Sequence, residues 1–218
     1  MRLGNRLEAV LSAVPKGVRV ADVGTDHGKL SLELLAREIA RHVIATDVSA
    51  PSLDKARRLI GKSEYAQRAE FRLGDGLSVI NADEVDAIVI SGMGGMEIKK
   101  IVENGPRFDN YVLSPQRDMR AVREAMSNLG YAPRFETVVR EGKKFYFIMT
   151  FAVGSCNLSE NELEFGRHNL QNPSSDFVEY IRTKLHEYQA LLDKNPDLLD
   201  VKNKVDKYAA VLGEINEG

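Results

Sequence analysis

From Val18 to about Val153, short apolar runs alternate with amphipathic helical patterns, and this rhythm constrains the fold more than any other feature of the chain. Val18–Gly24 reads as a strand and Leu30–Ala40 as a helix; His42–Ser49 and Ala50–Lys62 repeat the pair. Further strands fall within Ala69–Leu77, Val85–Gly95 and Asn110–Gln116, with helices over Met96–Asn104 and Asp118–Gly130. The strands are apolar on both faces, as in Ala87-Ile88-Val89-Ile90. Burial between two helix layers requires that pattern. Strands alternating with helices imply a mostly parallel, doubly wound sheet.

Residues Arg134–Gly154 break the alternation. Two strand-like runs flank Arg140-Glu141-Gly142-Lys143-Lys144, a hairpin turn with a glycine. A parallel sheet that ends in an antiparallel hairpin is the seven-stranded, Rossmann-like α/β arrangement of class I methyltransferases, and that is the expected fold class. Ahead of the first strand, Leu3, Leu7, Val10, Leu11 and Val14 fall at helical spacing until Pro15-Lys16-Gly17 stops the pattern. Glu8 and the short apolar stretch argue against reading this segment as a signal peptide. Beyond Ser159 strand signals vanish. A short helix is expected over Glu160–Leu170. Phe177, Ile181, Leu185, Tyr188 and Leu192 form one helical stripe, and Val201, Val205, Tyr208, Leu212 and Ile215 form a second. Asn195-Pro196-Asp197 separates them, with Asp197 the expected N-cap of the second helix. The pair reads as an antiparallel helical hairpin with a coiled-coil seam. The expected division is therefore a cofactor-binding domain over residues 1–154 and a helical domain over 155–218.

Charge and cysteine content narrow the function classes. A formal net charge of -2 argues against indiscriminate nucleic-acid binding while allowing a local basic groove. The single cysteine, Cys156, excludes an internal disulfide and fits a reducing cytoplasm. The four histidines, His27, His42, His168 and His186, are scattered, so no metal is expected. No apolar run is long enough for a membrane span. The oligomeric state stays open, with a monomer as the default.

The informative segment is the turn after the first strand, where Asp22, Gly24, Thr25, Asp26, His27 and Gly28 sit together. A helix N-terminus offers free N–H groups, and Gly24 lets backbone approach a ligand. A dinucleotide fingerprint would need further glycines for a pyrophosphate. Here Asp26 and His27 occupy that place, and the acid would oppose a diphosphate. S-adenosyl-L-methionine carries a sulfonium, an ammonium and a carboxylate, so an acid-containing turn suits it. Asp47, 23 residues after Gly24 and followed by Val48, lies near the spacing at which an acid meets ribose hydroxyls. Gly74-Asp75-Gly76 follows the third strand, where an acid can accept from the adenine amino group. Ser91-Gly92-Met93-Gly94-Gly95 follows the fourth, on the side of the transferred group. The expected cofactor set is thus Asp22, Gly24, Thr25, Asp26, His27, Asp47, Val48, Gly74, Asp75, Gly76, Ser91, Gly92 and Met93.

The segments DVGTDHGKL, ATDVSAPSLDKA, RLGDGL, the VISGMGG run and LSP, in this order, resemble the bacterial tRNA (adenine-N1)-methyltransferase family of the TrmK type, which modifies adenosine 22 of tRNA. The likeness covers Leu3 to about Ala152, and the helical hairpin resembles that family's coiled-coil domain. Two stretches depart from the family pattern. Gly28-Lys29-Leu30-Ser31 stands where the family has Ala-Tyr-Leu-Pro, and Leu113-Ser114-Pro115 where it has Leu-Gln-Pro. The resemblance implies tRNA as partner and adenine N1 as target. That nitrogen has a free lone pair, so positioning and charge handling dominate. A carboxylate accepting from the exocyclic amino group would sharpen N1, which makes Asp26 the first catalytic candidate, with His27 to orient it or touch the base. Met93, Gly94, Pro115 and Arg117 are expected on the substrate side. A paired adenosine must first be exposed or flipped. Arg2, Arg6, Arg117, Arg120, Arg123, Lys143 and Lys144 are candidates for gripping RNA.

Each residue has a plainer reading. Asp26 is also a fit helix N-cap, Asp47 and Asp75 are ordinary turn acids, Met93 suits a core, and Arg117, Arg120 and Arg123 at helical spacing suit a solvated face. Alternatives at the level of function are a methyltransferase acting on another RNA site or a small molecule, and a non-catalytic RNA-binding protein of the same fold. A nicotinamide enzyme is disfavoured by the acidic turn.

Overall fold

The structure, a computed structural model, describes residues 3–217. Strands β1 (Val18–Val23), β2 (Ala40–Asp47), β3 (Ala69–Leu73), β4 (Ala87–Ser91), β5 (Asn110–Ser114), β6 (Tyr131–Glu141) and β7 (Lys144–Val153) form one sheet in the order β3-β2-β1-β4-β5-β7-β6. β1 to β5 pair in parallel, and β7 inserts antiparallel between β5 and β6. Gly142 makes the β6–β7 turn at φ +62°. This is the expected arrangement.

Side chains of successive strand residues alternate faces. Val20, Val89, Val112 and Ile148 pack under α1 (Asn5–Ala13), α2 (Lys29–Ala36) and α3 (Ala50–Gly61). Ala21, Val23, Ile88, Ile90, Leu113 and Met149 face α4 (Gly95–Asn104) and α5 (Met119–Asn128) on the other side. Both faces are therefore dry, which accounts for the continuous apolar runs of the central strands.

The helix expected to reach Ala40 stops at Ala36. Glu38 adopts the left-handed conformation (φ +56°), its N–H donates to Leu35 O (3.1 Å) and that of Ile39 to Leu34 O (3.0 Å). This is a Schellman closure with glutamate in the glycine position. Ile39 and Ala40 are buried too, so their apolarity prolonged the helical pattern past its real end.

The C-terminal region comprises α6 (Glu160–Phe165), α7 (Arg167–Gln171), α8 (Ser175–Lys194) and α9 (Leu199–Glu217). The single helix expected over Glu160–Leu170 is broken at Gly166 (φ +92°), where a Cβ would press on Arg123 and Glu136. Asp197 lies in the α8–α9 turn and does not cap α9; the first helical closure runs from Lys202 N–H to Leu198 O (3.0 Å). The two helices pair through Tyr208, whose ring meets Tyr188 and Phe165 edge-on. Phe177, Ile181, Tyr208 and Val211 join the same apolar core as β4 and β5.

One buried ion pair ties this region to the sheet. Arg123 Nε donates to Glu136 Oε1 (2.6 Å), with both side chains fully buried. Arg123 Nη1 donates to the carbonyls of Leu163 (2.9 Å) and Glu164 (3.0 Å). These are C-terminal carbonyls of α6, which lack helical donors. Arg123 is therefore a structural cation and neither an RNA contact nor part of a solvated face.

Candidate active site

The sheet order reverses between β1 and β4, and a ligand crevice is expected outside the strand ends at that point. A cavity of about 490 Å³ lies there. All thirteen residues expected to hold the cofactor line it: Asp22, Gly24, Thr25, Asp26 and His27 at the end of β1 and in the turn beyond it, Asp47 and Val48 at the end of β2, Gly74 to Gly76 after β3, and Ser91 to Met93 at the end of β4.

The β1–α2 turn is built on two anchors. Thr46 O, at the end of β2, accepts the N–H groups of Gly24 and Thr25, both at 2.9 Å. Beneath them Asp22, only 3% exposed, accepts from Thr25 Oγ1 (2.8 Å) and Ser31 Oγ (2.6 Å). Burial pushes the Asp22 carboxyl above its ordinary range, partly offset by those two donors. Ser31 thus reaches back from the first turn of α2 to hold the buried carboxyl. Gly24 sits at φ +74° beside the Met93 methyl, and Gly28 at φ +72° beneath α3.

Asp47 is pre-oriented. Its Oδ2 accepts from the Asp26 N–H (3.0 Å) and its Oδ1 from the Ser49 N–H (2.8 Å). Each oxygen keeps a lone-pair direction for a further donor, such as a ribose hydroxyl. Asp26 itself is left-handed (φ 53°), and its carboxylate stands at the rim, 67% exposed. His27 Nδ1 lies 2.6 Å from Asp26 Oδ2, and His27 Nε2 lies 3.3 Å from Lys55 Nζ. An ammonium has only donors, so Nε2 accepts and Nδ1 carries the proton toward Asp26. The histidine thus holds the acid in place from the α3 side.

Electrostatics and orphan groups define the ligand class. Asp22, Asp26, Asp47, Asp75 and Glu97 line the cavity, against Arg6 and Lys29. Five carboxyl groups against two permanent cations favour a positively charged ligand and oppose a diphosphate. On the floor, the hydroxyls of Thr46 and Ser91 are buried without a partner among the described residues. Such groups await a hydrogen-bonding ligand or water. A nucleoside bearing a sulfonium and an amino group fits this donor and acceptor set.

The substrate-side residues divide. Met93 lines the cavity, whereas Gly94 stands at the N-cap of α4, against the Arg117 guanidinium and outside the lining. Pro115 is buried and lines neither this cavity nor the neighbouring one. Its neighbour Gln116 takes the wall position instead: its N–H donates to Met93 O (2.9 Å) and its Nε2 to Gly92 O (2.5 Å). Arg117 lies in a second, adjoining cavity. Among the RNA candidates, Arg120 is tied to Glu124 and Glu160, and Arg2 lies outside the described residues. Among the polar lining residues, Arg6, Lys29, Thr46, Glu97 and Gln116 were missing from the expected cofactor set; nothing in their local sequence sets them apart from ordinary helix, strand and loop residues. No group of three or more His, Cys, Asp or Glu side chains suited to a metal occurs among the described residues.

Comparison with known proteins agrees with this geometry. A family model described as "Methyltransferase domain" matches residues 3–149. A tRNA (adenine(22)-N(1))-methyltransferase of Bacillus subtilis is 29% identical over 177 residues, 79% of this chain and 74% of that protein. The crystal structure of the B. subtilis m1A22 tRNA methyltransferase TrmK superposes with a TM-score of 0.83 at 26% identity, covering 99% of this chain and 98% of that one. Streptococcus pneumoniae Sp1610, solved in complex with S-adenosyl-L-methionine, gives a TM-score of 0.89 at 27% identity over 97% of this chain and 100% of that one. With its sheet order, its acid-lined crevice and a match spanning most of its length, the chain belongs to the methyltransferase domain family.

Proposed function

We propose that the protein transfers a methyl group from S-adenosyl-L-methionine to N1 of an adenosine in tRNA, with adenosine 22, the substrate named for the B. subtilis relative, as the target. The observation that carries the reading is the acid-lined cavity at the switch point, with Asp47 already aimed by two backbone N–H groups. S-Adenosyl-L-methionine, when bound, supplies an electrophilic methyl on a sulfonium, which a ring-nitrogen lone pair takes in line.

The chain's own residues do the rest. Asp47 would hold the ribose hydroxyls and Asp75 the adenine amino group of the cofactor. Thr46 and Ser91 hydroxyls on the floor would meet its remaining polar atoms, and Asp22 fixes the turn from below. Asp26, at the rim and braced by His27, would accept from the exocyclic amino group of the target base. That contact strengthens as N1 gains positive charge, so it favours the transition state over the ground state. Met93 offers apolar surface to the flat base. Residues 1–154 carry this chemistry, and residues 155–218 widen the surface for tRNA. No helix among the described residues is long and apolar enough to cross a membrane. We place the protein in the cytoplasm, where its tRNA substrate is.

Incubation with unmodified tRNA and labelled cofactor, followed by mapping of the methylated nucleoside, tests the reaction. Asp26→Asn should keep cofactor affinity by calorimetry and lose turnover by about 100-fold, in the range of positioned acid–base groups. Unchanged turnover would remove Asp26 from the mechanism.

A further inference from the structure

A second cavity of about 500 Å³ adjoins the first. It lies between the β6–β7 hairpin tip, the segment before α5, and α8. Gln116 belongs to the walls of both cavities. Arg6 makes a second link: it lines the first, and its guanidinium stacks 5.4 Å from the ring centre of Tyr146, which lines the second. Arg6 forms no ion pair among the described residues.

Across that shared wall the charge changes sign. The second cavity is bordered by Arg117, Lys143, Lys144 and Lys184 against Asp118 and Glu187. Four cations face two acids, in a chain whose formal net charge is -2. Lys143 and Lys144 are exposed at the hairpin tip and make no ion pair among the described residues. Phe145 stands beside them, half-buried, its ring edge-on to that of Tyr180 on the same cavity wall, while the ring of Tyr146 packs toward α1 under Arg6. Cations next to aromatic faces are what an unpaired nucleic-acid strand requires: phosphates take the charges and bases stack on the rings. The volume lies within the range of sites that enclose a small ligand, so one nucleotide fits.

We propose that this second cavity is a nucleotide subsite for the RNA strand that delivers the target base into the first, with a phosphate on Lys143 and Lys144 and the flanking base against Phe145. It rests on the tRNA reading above. The opposite charges of the two cavities then sort the two substrates: the cationic cofactor to the acidic side, the polyanion to the basic side. Arg6 and Gln116 stand where the strand crosses from one to the other.

The test uses the full chain and unmodified tRNA transcript. Lys143→Gln/Lys144→Gln is compared with Lys16→Gln/Lys62→Gln, which changes the net charge equally at exposed sites outside both cavities. Two lost contacts to an unpaired strand should make the slope of log affinity against log salt shallower by about 1.4, which is roughly 25-fold in KM for tRNA at 0.1 M salt. Cofactor affinity, read by thermal shift with S-adenosylhomocysteine, should match the wild type. A KM and a salt slope equal to those of the control variant overturn the subsite and leave an acidic peptide as the better occupant. A wild-type protein that methylates no RNA overturns the tRNA reading instead, so the two failures are separable.

Discussion

Gly28 ends the turn that forms the cofactor site, and a single methyl group there should be costly. Its φ is +72°, and a Cβ would stand 2.7 Å from the Ala56 Cβ and 2.8 Å from the Ala56 Cα, on α3. Part of that second atom's shell is backbone, so the clash is relieved only by moving α2 away from α3. Gly17 provides the control, since its φ is +77° and nothing lies within 4 Å of its would-be Cβ. Gly17→Ala therefore carries only the left-handed backbone cost, roughly 1–2 kcal/mol. Gly28→Ala adds overpacking of about 1–3 kcal/mol, for a total near 3 kcal/mol. For a chain of this size each kcal/mol lowers Tm by about 2–4 °C, so Gly28→Ala should lose roughly 6–12 °C. Thermal denaturation followed by circular dichroism measures both. Ala56→Gly in the Gly28→Ala background should recover part of the difference, because it removes the 2.7 Å contact and leaves the 2.8 Å one. Gly28→Ala no less stable than Gly17→Ala would refute the reasoning, and with it the claim that the approach of α3 dictates glycine at this position.

Asp47→Asn replaces one acceptor facing a backbone N–H with an amide donor, and calorimetry should show cofactor affinity falling about 10- to 100-fold, the worth of hydrogen bonds to a charged group; wild-type affinity would dismiss the ribose role. Arg123→Met strands the buried Glu136 carboxylate and should cost about 3–5 kcal/mol in urea unfolding, whereas Arg123→Met/Glu136→Leu should regain most of it; additive losses would mean the pair is not coupled. The raised Asp22 pKa gives a pH signature: its stabilising contribution is complete below the ordinary aspartate range and is lost as pH rises through the folded value. Asp22→Asn keeps an acceptor for Thr25 and Ser31 and lacks that loss. Its stability relative to wild type should therefore climb between acid and neutral pH in urea titrations; a pH-independent difference would contradict the burial effect.

The sequence by itself determined the sheet and most of one cavity. Parallel strands buried on both faces must be apolar throughout, so β1, β2, β4 and β5 announced themselves, and ligand-binding turns in such a sheet follow the strand ends. Asp22, Asp47, Asp75 and the Ser91–Met93 turn could thus be assigned to one crevice from spacing alone. Tertiary structure decided what spacing cannot encode. Arg123 has the sequence environment of a solvated helix face, yet β6 and α6 close over it and turn it into a buried anchor. Pro115 and Gln116 are adjacent, and only the path of the chain beyond β5 places Gln116 on the wall and Pro115 beneath the surface. Arg6 reaches the cavity from a helix 16 residues before Asp22, a contact between segments whose local patterns are independent. The basic second cavity is assembled from the hairpin tip, the start of α5 and α8, three pieces with no shared periodicity. Local pattern is set by which side of an element meets water. Adjacency between distant elements is set by how the two faces of the sheet are covered, and that is a property of the packed chain.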